Sequence, residues 1–498
     1  MRTSHAVSPK KKPQSELSFL PNISIVPELW KETEMTTSEN LPVAIIGGGP
    51  VGLAAAAQLV SRGVPVKLYE AGAQVGSNLL DWGHVRLFTP FRFCIDAVAR
   101  QLLESHGWHM SNPEAFPTGK ELVDSYVAPL ASLPELAPSI ETNARVIAIS
   151  RWGADKVLTK GREDKPFMLV VETGAGRRRD RARAVIDASG TWQSPNPLGA
   201  GGIPAEGEAE LGSRIAYGIP DVLGKDRHLY AGRTTLVAGS GHSAANALLE
   251  LAELAETEAG TSAIWLTRGT DLVRIYGGGD LDALPARGEL GSDAKELVDS
   301  GRVQLVAGFA TTSIREVEGR LIVEGLTADG TRTVGPVDRI IAATGQRPDL
   351  SITRELRLDL DPWLEGVKAL GPLIDPNEHS CGDVPPHGHH ELSHPEPGFY
   401  TVGIKSYGRA PTFLLLTGYE QVRSVAAAVA GDLASADVVH LALPETGVCT
   451  VTRSISSISE EAKGCCGGPA PKEVDACCAA DAEAKAVGKS GCGCGVAA

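Results

Sequence analysis

Two short runs in this sequence have the residue types and spacing to hold a dinucleotide. The first is Gly47-Gly-Gly49-Pro-Val-Gly52, between the apolar run Val43 to Ile46 and the helix-forming Leu53-Ala-Ala-Ala-Ala-Gln-Leu-Val60. In such a turn Gly47 allows the sharp bend and Gly49 lets backbone approach a pyrophosphate. Gly52 lets the helix pack against its strand. The helix N-terminus adds free N–H groups and a partial positive charge for the phosphates. Glu70 ends the next strand, Val64 to Tyr69, where a carboxylate can accept hydrogen bonds from ribose hydroxyls. The alternative is a ligand-free glycine turn, and the strand, helix and terminal acid together argue against it. The second run is Gly239-Ser-Gly241-His-Ser-Ala244, between the apolar Thr234 to Ala238 and a helix from Ala245 to Leu254. Its following strand, Ala263 to Leu266, ends near Arg268 with no acid in Glu70's place. A guanidinium there suits the 2′-phosphate of NADPH, the other reading being a surface arginine. Two dinucleotide sites in one chain imply electron traffic between two cofactors.

A third set of reactive residues lies at the C-terminus. Of nine cysteines, only Cys94, Cys381 and Cys449 precede residue 460. The others are Cys465, Cys466, Cys477, Cys478, Cys492 and Cys494. A disulfide framework would spread its cysteines through the fold, whereas clustered terminal thiols suit soft-ion binding or thiol exchange. Asp475 can cap a short helix over Ala476 to Val487, which puts Cys477 and Cys478 in a first turn that favours thiolate. Flexible glycine-rich linkers would let the three groups converge on one metal or metalloid ion, trivalent arsenic taking three thiolates. A disordered tail with incidental thiols is the bland alternative.

The elements that must position these groups alternate strand and helix. Ala144 to Ser150, Phe167 to Glu172 and Ala184 to Ala188 read as strands between the two turns. Val303 to Val306, Leu321 to Glu324 and Arg339 to Ala343 follow the second turn, and a helix over Tyr419 to Ala430 closes the fold. The expected fold class is α/β, with two Rossmann-like dinucleotide-binding domains, one inserted in the other, and disordered termini. The boundaries read as 41–228, then an inserted domain at 229–343, then 344–440. Residues 1–40 are polar with little periodicity, the tail 441–498 has no Leu, Ile, Phe, Tyr or Trp from Gly464 onward to build a core, and Met35 is a candidate start. Acidic residues outnumber basic ones 61 to 47, a field that repels nucleic acid and anionic lipid. No apolar run is long enough for a spanning helix, and no apolar stretch follows Lys10-Lys11-Lys12 as in a secretory signal. The chain therefore reads as soluble and cytoplasmic, taking small molecules rather than nucleic acid or membrane as partners. Its oligomeric state is open.

The chain resembles the FAD- and NAD(P)H-dependent flavoproteins built from two dinucleotide-binding domains, and among them the flavin-containing (class B) monooxygenases. Closer still are the flavin-binding, monooxygenase-like proteins of actinobacterial arsenic-resistance operons. The resemblance spans about Leu41 to Asp432. It rests on the two glycine turns, Asp81-Trp-Gly-His-Val-Arg-Leu-Phe-Thr-Pro90, Ile186-Asp-Ala-Ser-Gly-Thr-Trp192, Ile341-Ala-Ala-Thr-Gly345 and Lys405-Ser-Tyr-Gly-Arg-Ala-Pro-Thr-Phe413. It implies FAD at the first turn, NADPH at the second, and a chain that crosses between domains at Asp187–Gly190 and Ala343–Gly345. It also nominates Trp82, His84, Arg86 and Lys405 as flavin-pocket residues, buried packing being the alternative for Trp82. Related reductases place an Asp on the ribityl chain after the last strand. Tyr400-Thr-Val-Gly403-Ile-Lys405 has none, so backbone N–H groups near Thr412 and Phe413 are expected to hold the flavin instead. The monooxygenase fingerprint is matched only in part, by Tyr217-Gly218, His228 and Tyr230-Ala-Gly232.

Reductases that relay electrons to a disulfide carry paired cysteines near the flavin, and residues 229–343 hold none. Oxygen is then the simplest acceptor, after hydride transfer from NADPH to flavin. The resemblance thus implies an NADPH-dependent flavin monooxygenase in arsenic resistance, acting with O2 on a small soft substrate such as a trivalent arsenical. The tail would deliver that substrate. The alternative is a metalloid-binding protein or redox sensor whose core is not an oxygenase. The loop His379-Ser-Cys381-Gly-Asp383 … His387-Gly-His389-His390 … His394 lacks the spacing of a zinc site and reads as a polar cover for the flavin.

Overall fold

A computed structural model describes residues 40–270, 272, 276, 285–379 and 384–441. The N-terminal extension with Met35, the loop residues Cys381 and Asp383, Cys449 and the six tail cysteines lie outside the described residues. The short helix expected at Ala476 to Val487 does so too.

The first unit opens with β1 (Val43–Ile46), whose four side chains are all buried. A strand covered on both faces reads as a continuous apolar run rather than an alternation. Helix α1 (Pro50–Val60) follows directly, with Pro50 at a position where its missing N–H costs nothing. The run of four alanines lets this helix lie close to its neighbours, and every residue from Pro50 to Leu59 is buried. Then come β2 (Val66–Tyr69), β3 (Ile140–Glu141), β4 (Arg145–Arg151), β5 (Phe167–Thr173), β6 (Gly176–Ala182) and β7 (Ala184–Asp187). Strands β4, β5 and β6 form a separate antiparallel layer.

The chain crosses to the second unit after β7. There β8 (Ile215–Tyr217), β9 (Thr234–Ala238), helix α2 (His242–Thr257), β10 (Ser262–Leu266), helix α3 (Pro285–Asp299) and β11 (Val303–Val306) succeed one another. An antiparallel layer of β12 (Ala310–Val317), β13 (Arg320–Thr327) and β14 (Gly330–Val337) precedes β15 (Arg339–Ala342). The chain then returns to add β16 (Phe399–Thr401), helix α4 (Leu415–Val429) and the short helix α5 (Leu433–Asp437). The two main sheets run β16-β7-β1-β2-β3 and β11-β10-β9-β15-β8, all their neighbours parallel. This is the expected α/β architecture of two Rossmann-like units, one inserted in the other.

The second sheet reaches back past the expected boundary at residue 228. Strand β8 pairs with β15 in the second sheet, Ile215 opposite Ile340, so the second unit begins before residue 229. Three residues are too few to show a periodicity, which is why the strand escapes a reading of the sequence. Among the described residues no helix is long and apolar enough to cross a membrane.

The antiparallel layer β4-β5-β6 is tied to the segment before β16 by a buried charge cluster. The Glu396 carboxylate accepts from Arg151 Nε and Arg162 Nη2, each at 2.7 Å, and from the Arg357 N–H at 3.0 Å. Arg151 also lies over the Phe167 ring, 3.7 Å from its centroid. Burial pushes the Glu396 carboxyl up, but these hydrogen bonds outweigh it and hold the group below the ordinary glutamate range. Removing the carboxylate would leave two buried guanidinium groups uncompensated. Glu396→Ala is therefore expected to destabilise the fold by about 3–5 kcal/mol in urea denaturation. Because the folded-state pKa is depressed, the contribution is full above the unfolded value of about 4.3 and disappears as pH falls through the folded value. The wild-type advantage over Glu396→Ala should shrink over that acid window and be flat from pH 6 to 8.

Candidate functional site

The two glycine turns are built alike. Strand β1 ends beside β2 at the pair Ile46 and Tyr69, and β9 ends beside β10 at Ala238 and Leu266. Both turns begin with a glycine at positive φ, +99° at Gly47 and +142° at Gly239. Both press against the strand that leads to or from the other unit. A β-carbon on Gly47 would stand 2.6 Å from the Ala188 carbonyl oxygen, and one on Gly239 would stand 2.1 Å from that of Ala343. Ala188 and Ala343 in turn donate their N–H groups to Ile46 and Ala238. A side chain at either glycine would force the turn off its neighbouring strand. At the third motif position, a β-carbon on Gly52 would lie 2.0 Å from Gly47 O, whereas Ala244 is accommodated in the second core.

At the middle glycines the surroundings are the reverse. Neither Gly49 nor Gly241 has any atom within 4 Å of where a β-carbon would be. Each is the N-cap of its helix, α1 or α2, and neither helix has a side-chain cap or an acid in its first turn. The open approach and uncapped N–H groups are what a pyrophosphate needs. The residues present therefore fit a dinucleotide at each turn. Glu70 follows Tyr69 and is buried, one carboxylate oxygen accepting from Gly48 N–H and the other from Gly72 N–H, both at 2.7 Å. Each oxygen keeps a lone pair for a ribose hydroxyl. The position after Leu266 is taken by Thr267, buried and bonded to Gly269 O. Arg268 is exposed and donates to Ala200 O at 3.0 Å.

A third uncapped helix N-terminus lies beside the first. Helix α4 starts after Leu414 with no side-chain cap and no first-turn acid. Its start packs on the start of α1, since a β-carbon on Gly418 would come 2.8 Å from Val51 and one on Gly403, at φ +68°, 3.4 Å from Val51. Thr412, just before this helix, is buried with its hydroxyl toward Ile374 O at 3.4 Å. Gly403 N–H is held by Gln421 Oε1 at 2.8 Å, and the Gln421 amide reaches Ser406 Oγ and His387, each at 2.9 Å. Three helix ends thus serve the region: α1 and α4 side by side, and α2 across the domain crossing.

That crossing is locked by a buried ion pair. Lys405 Nζ donates to Asp187 Oδ2 at 2.7 Å and to Ser189 Oγ at 3.0 Å, with both charged side chains almost wholly buried. Asp187 Oδ1 accepts from Ser189 N–H and Oγ, and Asp187 O accepts from Val402 N–H. Further on, the outward and return crossings bond to each other. Asn196 N–H donates to Gly345 O, Arg347 N–H to Ser194 O, and Thr344 Oγ1 to Asn196 O. Gly345 takes φ +81° there. Sequence reading placed Lys405 in the flavin pocket but missed its partners. The signal was available: an acid ending the apolar strand Ala-Val-Ile-Asp187 demands a cation or donors.

The remaining nominated residues separate. Trp82 is half-buried beside Trp192, ring centroids 6.3 Å apart, and Trp192 Nε1 donates to Asp81 at 3.0 Å. His84 faces Glu250 of α2 at 3.7 Å, its pKa lowered by burial, while burial pushes the Glu250 carboxyl up to about 7. Phe88 meets His242 edge-on at 5.3 Å, so this segment lies against the start of α2. Arg86 points elsewhere, exposed and bonded to Phe116 O with Glu121 nearby. Cys94 is fully buried, its Sγ toward Thr89 and Pro90 carbonyls, and burial pushes the thiol up to about 12.

Residues 44–365 match the family model described as pyridine nucleotide-disulphide oxidoreductase. Among solved structures, the fold is similar to bacillithiol disulfide reductase from Bacillus cereus (19% identity, TM-score 0.59, covering 78% of this chain and 99% of that one). It is also similar to the FAD-bound cadaverine monooxygenase of desferrioxamine biosynthesis from Erwinia amylovora (14% identity, TM-score 0.54, covering 81% and 98%). A third is the reduced ornithine hydroxylase from Pseudomonas aeruginosa (16% identity, TM-score 0.51, covering 79% and 99%). At these identities the likeness is one of fold. Among curated proteins, none matches the chain.

The locked crossing makes a double-mutant test. Lys405→Met leaves Asp187 buried and unpaired, and is expected to cost about 3–5 kcal/mol of stability. Adding Asp187→Asn should recover a large part of that loss, which denaturation of the two single variants and the double variant would measure as a coupling.

Proposed function

The chain belongs to the pyridine nucleotide-disulphide oxidoreductase family, and we propose that it works as an NADPH-dependent flavin monooxygenase on a small soft substrate, a trivalent arsenical in particular. It is an FAD-dependent NAD(P)H oxidoreductase, with FAD and NADPH as its cofactors. In this reading the turn Gly47–Gly52 and the start of α1 take the FAD pyrophosphate, Glu70 takes the adenosine ribose, and the start of α4 faces the flavin. Trp82 and Lys405 are residues of the flavin region, Lys405 holding Asp187 and the crossing rather than meeting substrate. Arg86 is the weakest of the nominated pocket residues, since its guanidinium is spent on Phe116 O and Glu121. Gly239, Gly241 and Ala244 receive NADPH, and Arg268 its 2′-phosphate.

The observation that carries the reading is the state of Cys94, the one cysteine among the described residues. Cys94 has no neighbouring cysteine in sequence, is fully buried, and has its thiol pushed up to about 12. A thiol held protonated neither attacks a disulfide nor forms one readily. Electrons on the flavin are then best accepted by a small molecule that reaches it. The flavin supplies hydride acceptance and oxygen chemistry; the chain supplies placement and exclusion of water. For an arsenical the balance closes: NADPH, O2, a proton and the trivalent compound give NADP+, water and the pentavalent oxide. The six clustered cysteines from Cys465 to Cys494 would gather the metalloid and raise its local concentration.

Two measurements test this. Methylarsenite or arsenite should stimulate NADPH consumption, with O2 uptake and pentavalent product in equal amounts. NADPH oxidation that yields only hydrogen peroxide, unchanged by any arsenical, would refute the substrate assignment. Replacing Arg268 by Ala should raise KM for NADPH about tenfold or more and leave KM for NADH nearly unchanged, as loss of one charge-assisted contact of about 1.5–3 kcal/mol requires.

A further inference from the structure

We infer that His389, His390 and Asp437 form a binding site for a borderline divalent cation, zinc above all, that clips the histidine-rich loop to the C-terminal helix α5. His389 Nε2 and His390 Nε2 lie 2.8 and 3.0 Å from the same oxygen, Asp437 Oδ1. The two imidazole rings are 3.9 Å apart between centroids, so both present an edge nitrogen to one point. All the ligand atoms lie within 4.8 Å of one another. Around zinc, with bonds of about 2.0–2.2 Å in a tetrahedron, ligand atoms stand about 3.3–3.5 Å apart. The two histidine–carboxylate distances, 2.8 and 3.0 Å, need open by only a few tenths of an ångström to reach that spacing.

The cluster is held from both sides by the same helix. His389 N–H donates to Ser424 Oγ at 2.9 Å, and Ser424 Oγ donates to Ala436 O at 2.8 Å. Arg423, one residue earlier on α4, donates to Ser435 O at 2.7 Å and also to Val438 O. Asp432 caps α5 by accepting from Ser435 N–H. The backbones that carry His389 and Asp437 are thus fixed to α4, and only the exposed side chains of His390 and Asp437 need adjust. Fixed backbone with adjustable outer ligands is what a preorganised metal site requires. Two imidazoles and one carboxylate favour zinc and its neighbours over calcium or magnesium, which take oxygen ligands. The exposed side leaves a fourth position for water. Sequence spacing could not show this site, because the third ligand comes from an element 47 residues after His390.

The clip would bear on the cofactor region. His387, two residues before His389, bonds Gln421, which holds Gly403 N–H next to Val51. The test uses the full-length, reduced chain after chelation and desalting, with zinc alone as the probe. Equilibrium dialysis at a series of free zinc concentrations compares wild type with His390→Ala and Asp437→Ala. Tail thiols are common to all three, so they cancel in the difference. Wild type should bind one zinc equivalent per chain more than either variant, or hold that equivalent about 100-fold or more tighter. Because His390 is largely exposed, His390→Ala should melt like wild type without zinc, and zinc should then raise the wild-type Tm further than the variant's. Equal stoichiometry and affinity in all three proteins would overturn the site.

Discussion

Each glycine turn stands against the carbonyl oxygen of the strand that carries the chain to or from the other unit, and the rest of the molecule follows from that contact. Gly47 meets Ala188 O and Gly239 meets Ala343 O at distances no side chain could share. The same strands that pack the turns are the ones that cross between the units. The place where a dinucleotide's phosphates would rest is thereby coupled to the hinge between the domains. Because Ala188 and Ala343 also bond back to β1 and β9, each turn has little freedom to move without its crossing strand. Preorganisation of this kind costs no reordering when a ligand arrives.

The buried pair of Lys405 and Asp187 extends that logic to the third helix end. Burying two charges is expensive, and their worth lies less in net stability than in fixing one arrangement of the chain. Lys405 belongs to the segment between β16 and α4, and Asp187 to the end of β7. Their contact sets where α4 begins relative to α1. Val51 then lies against Gly418, where a β-carbon would come within 2.8 Å, and against Gly403, whose φ of +68° disfavours a side chain. The lysine that comes after the last strand thus answers an acid on the neighbouring strand.

Much of this was legible in the sequence, and the failures have physical reasons. Strands β1, β5 and β9 show as apolar runs because both of their faces, or one whole face, are covered. Strand β6, with Arg177, Arg178 and Arg179, does not look like a strand at all. Its charges are supported by partners elsewhere, Arg178 forking onto Glu141 while also reaching Asp180. Strand β14 hides behind Gly335 and Pro336 for a similar reason: an exposed antiparallel strand carries little apolar pattern. The two glycine turns and the strand end that carries Glu70 were readable because their geometry is local. The partners of Lys405 and the convergence of His389, His390 and Asp437 were not, because they depend on which distant elements meet. Arg86 was nominated by its neighbours in sequence, and its guanidinium turns the other way.

The proposed monooxygenase and a disulfide-relaying reductase would differ in electron capacity. Among the described residues Cys94 is the one cysteine, buried with its thiol pushed up, and the proposal makes the flavin the sole two-electron acceptor. An anaerobic titration of the purified full-length protein with NADPH, followed by flavin absorbance and thiol count, measures this directly. The account predicts full bleaching with no change in thiols after two electrons per chain, the same before and after alkylation of the accessible cysteines. Uptake of four electrons in the untreated protein, falling to two after alkylation, would show a disulfide in the electron path and contradict the account.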